Sequence, residues 1–110
     1  MSARLASAFW VQAYLTRLRV QLIPAFVTAH GDDTSGAVLV KLNTLDGKAR
    51  IFARRFDLLT DTRIWDVVFD GPETDADAVI TRERTVDADV WVIEVEDREG
   101  RHLLDEEGLA

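Results

Sequence analysis

The sequence predicts an α+β fold: a mostly antiparallel sheet of about five to six strands with two helices, in the order α-β-β-β-β-α-β-β. Three observations carry that expectation. Residues 3–21 are good helix formers with no Gly or Pro among them. Asp46-Gly47 is a strong hairpin signal between two strand-like runs. Val90 to Glu96 starts as a continuous apolar run and ends in alternation, as a strand with one wet face should.

Each element follows in order. On a helical wheel the first helix places Leu5, Phe9, Ala13 and Val20 in one stripe. Trp10, Val11, Tyr14, Leu15 and Leu18 carry its apolar surface much further round. An ordinary surface helix is apolar over little more than about 100°, so this one is expected to be deeply embedded or to meet a partner. Residues 22–30 read as a strand with Pro24 at its start or on an edge, because Pro cannot donate to a ladder. Gly31 to Gly36 is a polar hairpin connection by composition, and Ala37 to Asn43 is a strand that begins apolar on both faces. Lys48 to Arg55 returns from the Asp46-Gly47 turn, and Arg63 to Phe69 is a fourth strand stopped by Asp70-Gly71-Pro72. A second helix spans about residues 73–86, with Pro72 suited to its start, acids early and Arg82 and Arg84 late, in keeping with the helix dipole. Trp91, Ile93 and Val95 should face inward with Glu94 and Glu96 outward, and both helices should lie on one face of the sheet. After a turn at residues 97–100, Arg101 to Leu104 should pair back. The expected domain is residues 1–104, with a frayed acidic tail at 105–110.

The bulk numbers narrow the function classes. The 110 residues are 47% apolar and 30% charged, ordinary material for a globular protein. Cysteine is absent, which removes disulfides, thiolate nucleophiles and cysteine metal sites. The N-terminus superficially looks like a signal peptide, but Gln12, Thr16, Arg17 and Arg19 break the apolar run. No stretch approaches the roughly 18 apolar residues of a membrane span. A soluble, cytoplasmic protein with no membrane contact is the expectation. The net charge of −7 is unevenly held: residues 1–56 carry +5 and residues 57–110 carry −12. The two halves are expected to pack together and partly neutralise each other.

No motif carries a recognisable chemistry. Asp32, Asp33, Glu94 and Glu96 are the candidate carboxylates. Two at i and i+2 on a strand share a face and can bind a hard cation or serve as acid and base. They equally make a solvated strand face that guards against edge pairing. His30 and His102 have no metal-ligand spacing. The Gly31–Gly36 loop precedes a strand rather than a helix, and its two carboxylates would repel phosphate. Arg50, Arg54 and Arg55, interleaved with Phe52 and Phe56, suggest an RNA-binding sheet face. The negative total opposes phosphate attraction, so nucleic acid is not the expected partner.

Three separated blocks have a familiar pattern: Trp10 to Leu15; Gly36 to Asn43 with Leu45-Asp46-Gly47; and Trp91 to Arg98. They resemble a family of short alphaproteobacterial proteins classed as a domain of unknown function, and the similarity spans nearly the whole chain. Where that family has Asp-Pro-Asp-Leu before the tryptophan, this chain has Asp87-Ala88-Asp89-Val90. The resemblance implies a bacterial cytoplasmic protein and brings no catalytic residues with it. The leading reading is a non-enzymatic module working by protein–protein contact, as a homodimer or with another protein, through Trp10, Val11, Tyr14, Leu15 and Leu18 of the first helix. No cofactor is expected. The second reading is a small enzyme or ligand-binding protein whose four candidate carboxylates converge, and the third is a weak nucleic-acid binder.

Overall fold

The computed structural model describes residues 6–109, apart from the side chain at position 56. Residues 3–5 of the expected helix, with Leu5 of its stripe, lie outside the described residues, as does Ala110. The elements are α1 (Ser7–Val20), β1 (Ala25–Ala29), β2 (Val38–Asn43), β3 (Lys48–Asp57), β4 (Thr62–Pro72), α2 (Glu73–Val86) and β5 (Trp91–Glu96). The α+β class and the order through β5 are those the sequence predicts. The strands form one mixed sheet in the order β1-β5-β2-β3-β4, antiparallel except for the parallel β2–β5 pair. Among the described residues no helix is long and apolar enough to cross a membrane.

Three expectations need correcting. The helices lie on opposite faces. Val38, Val40 and Leu42 of β2 and Trp91, Ile93 and Val95 of β5 pack with α1, while Leu39, Ile51 and Val92 pack with Ala76, Val79 and Ile80 of α2. Both faces of the middle strands are therefore covered, and every residue of β2 is buried. Secondly, Gly31–Gly36 is not a hairpin, because β5 lies between β1 and β2. Thirdly, Arg101 to Leu104 forms no strand. Leu103 has a left-handed φ of 62°, which breaks extension, and the segment crosses the α1 side, where Leu104 is buried. In the acidic tail the Leu109 side chain is in the core and its carbonyl accepts from Trp65 Nε1 at 2.8 Å.

The 31–36 loop has a local task. Ser7 and Ala8, in the first turn of α1, donate their amides to the carbonyls of Thr34 and Asp33 at 3.2 and 2.9 Å. The loop thus satisfies helix amides that would otherwise lack partners, which Ala6 at the N-cap has no side-chain oxygen to do. A side chain at Gly36 would run into the carbonyl of Asp89, so close approach requires glycine there.

Candidate interaction surface

The side chains expected to form an interaction face are placed mostly inward. Trp10, Val11, Tyr14 and Leu18 are buried against the sheet, and Leu15 is partly buried at the edge of the same cluster. Trp10 stacks on Tyr14 at 5.0 Å and meets Trp65 at 5.3 Å between ring centres. The Tyr14 hydroxyl donates to the His102 carbonyl at 2.7 Å, and burial pushes its pKa up. The stripe drawn through Phe9, Ala13 and Val20 is the outer one, with Phe9 and Val20 exposed.

The four candidate carboxylates do not converge. Asp32 accepts from the amides of Ser35 and Thr34 at 2.8 and 3.1 Å, and those bonds hold its pKa below the usual carboxylate value. Asp33 meets His30 Nε2 at 2.9 Å, and the His30 ring lies on Trp91. The Asp32 carbonyl accepts from Trp91 Nε1, which fixes the loop at the start of β5. Glu94 and Glu96 sit three and five residues further along that strand, roughly 10 and 17 Å away at the rise of an extended chain. Among the described residues no three His, Asp or Glu side chains are arranged to hold a metal ion.

Glu94 instead belongs to a cluster that sequence reasoning missed. The Lys41 side chain is almost fully buried on the α2 side of β2. Its ammonium reaches Glu73 at 2.8 Å, Asp77 at 2.7 Å and Glu94 at 3.1 Å. Asn43 donates to the same Glu73 oxygen at 2.9 Å. Burial by itself would lower the lysine pKa, but the hydrogen bonds the ammonium donates to Asp77, Glu73 and Glu94 outweigh that and hold the pKa above its usual value. A lysine locked as ammonium can serve neither as base nor as nucleophile. The cluster fastens α2 to the sheet. The signal was present in the sequence: one charge between Val40 and Leu42, in a strand apolar on both faces, must find carboxylate partners.

The arginines of β3 also disperse. Arg54 lies over the rings of Trp10 and Trp65 at 5.3 and 5.5 Å, while Arg55 pairs with Asp66. Lys48, Arg50 and Arg98 border a cavity of about 340 Å³, but Asp46, Asp70 and Glu99 border it too. The two halves of the chain do neutralise each other in part. Lys41, Arg55 and Arg17, all from the first half, pair with acids of the second.

What remains unspent is an apolar groove between the end of α1 and the edge strand β1. Its volume is about 380 Å³, and it is lined by Leu15, Arg19, Leu22, Ile23, Pro24, Ala25 and Phe26. Its local cause is the way α1 ends. The amide of Ile23 donates to the Leu18 carbonyl at 2.9 Å and that of Leu22 to the Arg19 carbonyl at 3.0 Å. This is a Schellman ending, whose left-handed residue is usually Gly. Here it is Leu22, with φ at 59° and 87% of its surface exposed. Phe26, on β1, is 51% exposed.

A mixed sheet held between one helix on each face, with an apolar groove beside its β1 edge, defines a small α+β domain. The chain belongs to the DUF1491 family, a protein family of unknown function, whose sequence profile matches residues 5–105. It is similar to a DUF1491 family protein from Caulobacter crescentus CB15 in a crystal structure, with a TM-score of 0.85 and 38% identity over 94% of this chain and 97% of that one. An NMR structure of a DUF1491 family protein from the same organism gives a TM-score of 0.82 and 36% identity, covering 96% of each chain. The solution structure of protein Atu0922 from A. tumefaciens gives 0.73 and 25% identity, covering 86% of each. No curated protein matches. The resemblance read from the three sequence blocks is therefore correct.

Proposed function

We propose that this protein is a non-enzymatic, cytoplasmic module that acts by protein–protein contact through the groove between α1 and β1. The absence of cysteine supports the reducing compartment. The observation that carries the contact reading is Leu22. A left-handed backbone costs a residue with a Cβ about 1 kcal/mol, and an exposed side chain regains nothing from packing inside its own chain. Strain kept at an exposed apolar residue points to a use outside the fold. The neighbours support it: Leu15 and Ala25 extend the apolar surface, and β1 is a sheet edge without a charged side chain from Ala25 to Ala29. The other edge, β4, carries Arg63, Asp66, Asp70, a bulge and a terminal proline, the usual guards against pairing.

The test is a photoreactive side chain placed at position 22 in cells of the native host, with position 86 as control because Val86 is equally exposed, at 87%, but remote from the groove. The expected result is a discrete adduct from position 22 and none from 86. No adduct from 22, or equal labelling from both, would overturn the reading.

A further inference from the structure

The groove has a counterpart elsewhere on the same chain. Beyond the Leu39–Ala53 pair, β3 leaves β2 and continues with β4 alone, as far as Asp57 opposite Thr62. Residues 54–65 thus form a two-stranded arm past the body of the sheet. At its tip Leu58 and Leu59 are 86% and 96% exposed. The turn beneath them is well made. Asp57 accepts from the Leu59 amide and from the Thr60 hydroxyl, both at 3.1 Å, and the Thr60 and Thr62 hydroxyls meet at 2.7 Å. Two adjacent leucines held out to water on an ordered turn are an unpaired apolar knob.

Knob and groove match in apolar character and in charge. The tip reads Asp57-Leu58-Leu59-Thr60-Asp61, a pair of leucines between two carboxylates. The groove is apolar, and its one charged lining residue is Arg19. In a chain with 20 acidic residues, a groove lined by an arginine and no acid is the surface an acid-flanked apolar knob would seek. The tip lies at the end of β3 remote from the 44–47 turn, whereas the groove lies beside the end of β5 that runs toward that turn, so the two are at opposite ends of the sheet. A chain cannot fill its own groove with its own tip.

We infer that the occupant of the groove is a second copy of this chain, which inserts its Leu58–Leu59 tip against Leu15, Leu22 and Ala25 while Asp57 and Asp61 face Arg19. The inference rests on the contact reading above and names the partner. The contact is heterologous, so each copy offers one tip and one groove.

Sedimentation equilibrium of the whole chain from micromolar to several hundred micromolar tests it. The wild type should self-associate with rising concentration. A tip variant (Leu58→Ser with Leu59→Ser) and a groove variant (Leu22→Ser with Arg19→Glu) should each associate at least tenfold more weakly, with unchanged circular dichroism because all four positions are exposed. Mixed together, the two variants should recover a heterodimer, since each retains the half that the other has lost. A wild type that stays monomeric throughout overturns the inference. So does association that either folded variant leaves intact, or a mixture that recovers nothing. A monomeric chain whose position 22 still crosslinks to another protein would reject the second copy as occupant and leave the groove as a contact site. A monomeric chain without any adduct would reject both.

Discussion

Replacing Trp10 by alanine is expected to destabilise the protein by about 3–5 kcal/mol, the range for emptying a large aromatic site in a packed core. Trp10 is 2% exposed and stands where α1, β3 and β4 meet, stacked on Tyr14, against Trp65 and beneath Arg54. Its removal takes contacts from all three at once. The measurement is a urea unfolding curve, read as a lower midpoint with little change in slope. Trp10→Phe separates volume from polarity. Among the described residues the buried Trp10 indole N–H has no hydrogen-bond partner, and an unpaired buried donor carries a penalty of about 1–3 kcal/mol. Phenylalanine keeps most of the ring stacking and deletes that donor, so its loss should be well below half that of alanine. A Trp10→Ala variant as stable as the wild type would mean that α1 does not bury this side chain against the sheet.

Lys41→Ala is expected to cost about 3 kcal/mol at neutral pH, because removing one partner of a buried ion cluster leaves like charges without compensation. The value sits at the low end of the usual range because Glu73 and Asp77 still reach water. The pH dependence has a definite sign. The fold raises the Lys41 pKa above that of the unfolded chain. Its stabilisation is therefore complete at neutral pH and is lost as the pH climbs through and beyond about 10.4, the ordinary lysine value. The gap between Lys41→Ala and the wild type should therefore narrow as the pH rises beyond about 10.4. Unfolding curves at about pH 7 and about pH 11 would show it, and a gap that widened at the higher pH would contradict the arrangement.

Most of the architecture was legible because its signals are local. The helices, the Asp46-Gly47 turn and the strand from Trp91 depend on periodicity and turn chemistry within a few residues. What escaped was non-local. Nothing near Gly31 to Gly36 in sequence indicates that β5 will enter between β1 and β2, so a crossover loop looked like a hairpin. Glu94 read as an outward residue because its partner, Lys41, lies on another strand under a helix that sequence alone did not assign to that face. The excess apolar surface of α1 was correctly seen, but its division was not. A wheel cannot tell which part of an over-wide apolar arc meets the sheet, and the sheet took Trp10, Val11, Tyr14 and Leu18. Leu15 alone links the face expected from sequence to the groove that the structure leaves open. Leu22 was invisible because its left-handed φ depends on how α1 terminates ahead of Pro24.

The contact reading rests on Leu22 being present for something other than folding, and the unfolding free energy of Leu22→Gly tests that most directly. Glycine takes the left-handed position without strain, and the exposed leucine side chain has little packing to lose. The variant should be more stable than the wild type, by up to roughly 0.6 kcal/mol after glycine's extra chain entropy in the unfolded state is set against the relieved strain. A variant less stable than the wild type by 1 kcal/mol or more would show that Leu22 serves the chain's own core, and the groove would lose the observation that marks it as a docking surface.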